Sequence, residues 1–157
     1  MDVREATSDD WPAVAALLAD LGRPAVLGEA DEDTARRVFL RYLERDDTVA
    51  LVATDGDRVV GFCDVEFRER LNFTTSQAWI PDLIVSEAER SRGAGAALLT
   101  RAEELARERD CWSMTLESAN WRTRAHAFYE REGWTDGGHA FTKLLAEGLT
   151  WPPAPKA

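Results

Sequence analysis

Residues 80–95, IPDLIVSEAERSRGAG, constrain the fold more than any other stretch of the chain. An apolar run leads into a turn, and Arg92-Gly93-Ala94-Gly95 then opens a helix that reaches to about Asp110. Leu98, Ala102, Leu105 and Ala106 fall on its inward face at helical spacing. A strand end therefore meets a helix start here. Gly93 and Gly95 let the backbone turn tightly and keep side chains out of a ligand's path. The first N–H groups of a helix have no partner within it. With the helix dipole they form an anion site suited to a phosphate or pyrophosphate. Arg90 and Arg92 bring positive charge to the same end. A plain Gly-rich corner is the competing reading. A dinucleotide fingerprint would need glycine where Leu98 stands, and the Gly-Lys-Ser/Thr of a P-loop is absent. No CxxC, HExxH or GxSxG occurs, so metal and serine-nucleophile chemistry lack support and no metal is expected.

Pro81 constrains the strand on the other side of that turn. A strand over 77–85 would contain a residue that cannot donate to a ladder, which means an edge or a bulge. Strands are expected on both sides in sequence, which favours the bulge. Upstream, 3–7 is a short strand and Thr7-Ser8-Asp9-Asp10 a capping box. The helix it opens aligns Trp11, Val14, Ala15, Leu18 and Leu21, and Gly22 stops it. Residues 22–30 form a loop. A second helix spans 31–45, acidic at its start, with Ala35, Val38, Phe39, Tyr42 and Leu43 as its apolar stripe. Asp55-Gly56-Asp57 joins strands at 48–54 and 58–68 as a hairpin. Downstream come a strand at 113–118, a helix at 122–132 capped by Gly133, and closing strands at Trp134 and 141–145 around Gly137-Gly138. The expected class is α+β: a mixed, mostly antiparallel central sheet of about seven strands, flanked by four helices, with a bulged fourth strand.

With 157 residues, 45% of them hydrophobic, the chain can bury one core. A single domain over 1–150 is expected, with the Pro-rich 151–157 as a disordered tail. A net charge of −10 argues against a nucleic-acid binder that works by phosphate neutralisation. It would attract a cationic substrate, but it also suits a lineage habit. Of 19 basic residues only Lys143 and Lys156 are lysine, the pattern of a GC-rich bacterial genome. No apolar run is long enough for a membrane span. The start MDVREATSDD shows no signal peptide, so the expected location is cytoplasmic, with Cys63 and Cys111 as reduced thiols that pack.

Arg90-x-x-Gly93-x-Gly95 resembles the Q/R-x-x-G-x-G/A signature of the GNAT superfamily of N-acetyltransferases. Ala125-His126-Ala127-Phe128-Tyr129-Glu130, ending in Gly133-Trp134, is similar to a second block of many small GNAT enzymes. The expected element order is also similar to the GNAT order, so the resemblance covers nearly the whole chain. It implies acetyl-CoA as acetyl donor, with its pyrophosphate at the turn formed by Arg90, Ser91, Arg92, Gly93, Ala94, Gly95 and Ala96. It implies pantetheine in a gap opened by the bulge at Pro81, against the backbone of Leu83, Ile84 and Val85. Arg122 stands where the family often has a pantetheine-contacting asparagine, which leaves its contact as an expectation only.

By the same resemblance the reaction is direct attack of an amine on the acetyl carbonyl, without a covalent enzyme intermediate. Tyr129 is the expected general acid, since a phenol with a pKa near 10 stays protonated at neutral pH and can donate to a departing thiolate. Helix packing is its competing role. Some relatives carry Glu-Asp where this chain has Pro81-Asp82. Asp82 is therefore an amine-binding carboxylate or a base through water, with Glu66 and Glu117 as alternatives. His126 shares a helix face with Tyr129. The expected partner is a small-molecule primary amine; nucleic acid and membrane are not expected, and a homodimer is one expected assembly. A protein N-terminal or lysine acetyltransferase, or a non-catalytic acyl-CoA-binding module, are the other readings.

Overall fold

The structure is a computed structural model that describes residues 1–145. The expected tail at 151–157 lies outside the described residues. The chain divides into two compact units, Met1–Leu116 and the segment from Glu117 onward.

The first unit holds a six-stranded sheet: β1 (Asp2–Glu5), β2 (Thr48–Asp55), β3 (Arg58–Arg68), β4 (Gln77–Ile80), β5 (Leu83–Val85) and β6 (Ser113–Leu116). The order is β1-β2-β3-β4-β6, with β5 also on β3. All pairings are antiparallel except β4 with β6. Three helices, α1 (Trp11–Leu21), α2 (Glu32–Glu44) and α3 (Ala94–Glu108), belong to this unit.

The start of α1 follows from chemistry readable at Thr7–Asp10. The Asp10 carboxylate accepts the Thr7 N–H at 2.7 Å and a forked pair from Arg4 on β1 at 2.7 and 2.8 Å. Arg4 holds the Asp10 carboxyl below the usual carboxylate range. One sheet face, with Ala50, Val52, Phe62 and Ile84, packs against Trp11, Val14, Ala15 and Leu17 of α1 and Phe39 of α2. Helix α3 lies on the opposite face, through buried Leu98, Leu99 and Ala102. Its seat is Gly61: a Cβ there would stand 3.1 Å from Leu98 Cδ1 and 3.3 Å from the Ile84 carbonyl oxygen. Burial of some 25 cal/mol per Å2 of apolar surface makes this three-layer unit the main reservoir of stability.

Two expectations change. Val38, assigned to the inward stripe of α2, is 51% exposed, and Phe39 is that helix's buried residue. The apolar face of α2 is narrower than its count of apolar residues suggests. The closing strands at Trp134 and 141–145 are absent among the described residues: 134–145 is irregular, and Phe141 and Leu145 are exposed. A strand needs a ladder partner, and these residues have none among the described residues. The second unit, over its described part, contains α4 (Thr123–Arg131) and this irregular segment.

Candidate active site

The strand expected at 77–85 is split at Pro81-Asp82, and both halves pair with β3. The register slips by one residue between them. Continuing the pairing of Ala78 with Phe67 would bring Asp82 opposite Cys63, but Leu83 stands there. The extra residue is the bulge that the proline demanded. β6 pairs with β4 from Gln77 to Ile80 and goes no further, so among the described residues no strand lies on the far edge of β5. Ser86 donates to the Val60 carbonyl, and Asp64 to that of Asp82. Antiparallel alternation then turns the Ile84 peptide groups toward β3 and those of Leu83 and Val85 toward the open edge. Ile84 itself serves the core with its side chain.

From β5 the chain makes a single 3₁₀ turn at Glu87–Glu89 and enters α3. Ser91 and Gly93 both take left-handed backbone, at φ 69° and 90°. Glycine accepts that geometry freely, and serine does not. A Cβ on Gly93 would meet nothing within 4 Å. Ala97 N–H bonds to the Gly93 carbonyl, the first full helical bond, so the N–H groups of Ala94, Gly95 and Ala96 point out of the helix start. Arg90, Ser91 and Gly93 are exposed, whereas Ala94 is buried. Arg90 Nε reaches the Val85 carbonyl at 3.5 Å. The Arg92 guanidinium is drawn to Glu89 and lies 3.8 Å from Asp55. The turn thus presents outward backbone amides at a helix start, next to a strand edge that no described strand covers.

At the bulge two carboxylates meet. Asp64 on β3 is buried, and its Oδ1 accepts the Asp82 N–H at 2.8 Å. Burial, followed by the charge of Asp82, pushes the Asp64 carboxyl up to about 8. Asp82 is ion-paired: its Oδ1 accepts Arg23 Nε at 2.8 Å. Arg23 follows Gly22, whose left-handed turn ends α1 and aims the chain back at the sheet. The Tyr42 hydroxyl of α2 is buried without a hydrogen-bond partner among the described residues. Its pKa is raised by burial first, then by Asp64 and Glu66. Glu66 is engaged by Arg68, whose guanidinium lies over the Trp79 ring at 3.4 Å. Cys63 is fully buried, and its thiol is pushed well up by burial, as suits a packing residue.

Sequence reading missed Arg23, Asp64 and Glu89. An aspartate within the apolar GFCDVEF run was a usable signal for Asp64. Nothing local marks Arg23, which lies 59 residues from its partner.

In the second unit Tyr129 sits on α4 between two rings, with centroids at 5.4 Å to Phe128 and 6.2 Å to Trp134. Gly133, at φ 87°, terminates the helix as expected, and Trp134 N–H bonds back to the Tyr129 carbonyl. His126 and Arg122 are half-buried, and Arg122 lies 5.7 Å from the Trp121 ring centroid. Glu117 is exposed.

Comparison with known proteins places this geometry. The model of the acetyltransferase (GNAT) family matches residues 2–134. The chain belongs to the GNAT family and is an acetyl-CoA-dependent acetyltransferase. It is 30% identical over 144 residues to the aminoalkylphosphonate N-acetyltransferase of Salmonella typhimurium, covering 92% of this chain and 91% of that one. It is 26% identical to the uncharacterised N-acetyltransferase YhfO of Bacillus subtilis, over 87% of this chain and 91% of that one. Among solved structures, a Bacillus halodurans protein described as a transcriptional regulator superposes with a TM-score of 0.83 at 28% identity, covering 91% of this chain and 98% of that one.

Proposed function

We propose that this acetyltransferase transfers the acetyl group of acetyl-CoA directly to the primary amine of a small molecule. The observation that carries the reading is the continuous feature in the first unit: the open edge of β5 leading to the outward amides of Ala94, Gly95 and Ala96. In this reading Leu83 and Val85 hold the pantetheine amides, and residues 90–96 hold the pyrophosphate. Acetyl-CoA supplies an activated acyl carbon. The amine nitrogen bonds to that carbon as the carbon–sulfur bond breaks, and the Tyr129 hydroxyl gives the thiolate its proton. The proton lost by the amine passes to a carboxylate or to water.

The Arg23–Asp82 pair refines the role of Asp82. Asp82 Oδ1 is already engaged by the Arg23 guanidinium, so that oxygen is not free to take the amine's proton. The carboxylate still attracts an ammonium group, and the pair offers both signs of charge to a molecule that carries both. The relative named for aminoalkylphosphonates acts on such molecules. We therefore take an amine with an anionic group as the acceptor class.

Free-thiol release from acetyl-CoA, followed across a panel of aminoalkylphosphonates, amino acids, polyamines and lysine peptides, tests this. Turnover with the small amines is expected. Turnover only with peptides, or CoA binding without turnover on any amine, overturns it.

A further inference from the structure

The turn before α3 holds two left-handed residues, Ser91 and Gly93, on either side of Arg92. A non-glycine residue in that region persists only where its surroundings fix it. Those surroundings include a buried carboxylate. Glu89 is 4% exposed, although it sits in a run of charged residues at the surface end of a turn. One of its oxygens accepts Arg58 Nη2 at 2.7 Å, and the other accepts Arg92 Nη1. Its backbone carbonyl accepts the Arg92 N–H at 3.3 Å. Asp55 completes the group, 3.6 Å from Arg58 and 3.8 Å from Arg92. Two carboxylates and two guanidiniums alternate, so the cluster is neutral. Arg58 and Asp55 flank the β2–β3 hairpin, which belongs to the packed sheet. Arg58, followed by Arg92, lowers the Glu89 carboxyl below its ordinary range, so it stays ionised at neutral pH.

We propose that Glu89 is a positioning residue for the acetyl-CoA phosphates: it ties the 91–93 turn to the β2–β3 hairpin through Arg58 and holds the Arg92 side chain away from the ligand. The inference rests on the function proposed above. The backbone amides of 93–96, with Arg90, then meet the pyrophosphate. Arg92 acts as an internal strut, although sequence alone reads it as a phosphate ligand. Glu89 touches no reacting atom, so its loss should weaken only the ligand parts that reach the turn.

The test compares CoA with pantetheine, which lacks the phosphates. CoA affinity is measured by calorimetry and pantetheine affinity by NMR titration, for wild type, Glu89→Ala, Glu89→Gln, Arg92→Ala and the Glu89→Ala/Arg92→Ala double variant. Thermal unfolding checks that each variant is folded. Losing hydrogen bonds to charged groups corresponds to about a 10- to 100-fold change in binding. Glu89→Ala should weaken CoA by about that factor and change pantetheine less than about twofold. Glu89→Gln, which keeps one acceptor oxygen, should recover part of the loss. The double variant should be no worse than Glu89→Ala alone, since both residues serve one contact. Equal loss for CoA and pantetheine would make Glu89 merely structural and overturn the inference. Unchanged CoA affinity in Glu89→Ala, or a fully additive loss in the double variant, would overturn it too. Wild type that binds no CoA overturns the proposed function and this inference together; wild type that binds CoA without amine turnover overturns only the function.

Discussion

The turn ahead of α3 and the helix that carries Tyr129 are secured in different ways. The turn is fixed by long-range ties within its unit: Glu89 to Arg58, Ser86 to Val60, and α3 seated on Gly61. Helix α4 has no fully buried residue. Within its own unit Tyr129 is ordered by near neighbours, the rings of Phe128 and Trp134 and the bond behind the Gly133 cap. The turn proposed to bind the cofactor is thus tied into a packed scaffold. Around the proposed acid, the contacts within its own unit come from a short stretch of local sequence, and local contacts of that kind open at lower cost than a core.

If the two regions divide the labour, variants should separate cleanly. Tyr129→Phe removes one hydroxyl and little packing. General acid catalysis contributes about 10²–10⁴-fold, so kcat should fall within that range while CoA affinity, read by calorimetry, stays level. Wild-type turnover in this variant would assign Tyr129 to packing. Gly93→Val does the converse. A branched side chain at φ 90° is strained even though space is open. CoA affinity should fall by at least about tenfold, the equivalent of 1.4 kcal/mol, with kcat at saturation little changed. A variant that alters both parameters equally would break the comparison.

Asp82→Asn sharpens the scaffold side. It weakens the tie to Arg23 and should raise KM for amines by up to about tenfold, with CoA affinity preserved. Steady-state kinetics at several pH values check this. A fall in kcat at saturating amine, restored at high pH, would instead mark Asp82 as a base. The last expected effect falls on stability rather than on binding or turnover. The folded Asp64 carboxyl keeps its proton up to about pH 8, while an unfolded aspartate loses it near 4. Its contribution to stability is therefore complete below about pH 4, is lost progressively as pH rises, and levels off above about pH 8. The slope in between approaches 1.4 kcal/mol per pH unit. Asp82 and Glu66, the anions acting on Asp64, remain in Asp64→Asn, so urea unfolding of that variant from pH 5 to 8 should lose this slope.

How much of this the sequence revealed depends on the range of the interaction. Pro81 announced the bulge because a missing N–H is a strictly local fact. Thr7–Asp10 and Gly133 announced helix ends for the same reason. Val38 misled because periodicity counts apolar residues without knowing how wide the buried face is. The expected strand at 141–145 is not formed among the described residues, because apolar residues invite a ladder but do not themselves supply its partner. At the site, the glycines of the turn and the Tyr129 block were legible as motifs. Arg23 with Asp82, and Glu89 with Arg58, were not: ion pairs 59 and 31 residues apart leave no pattern in a chain so rich in both charges.

The one-residue slip at Pro81 also makes β5 its own reporter. The Ile84 amide is committed to β3 and should exchange slowly with deuterium at all times. The Leu83 and Val85 amides face an edge that no strand among the described residues covers. They should exchange quickly in the empty protein and slow sharply when pantetheine lies along that edge. Three consecutive residues would then read slow in the middle and switchable on either side, an occupancy gauge that needs neither an acceptor amine nor turnover.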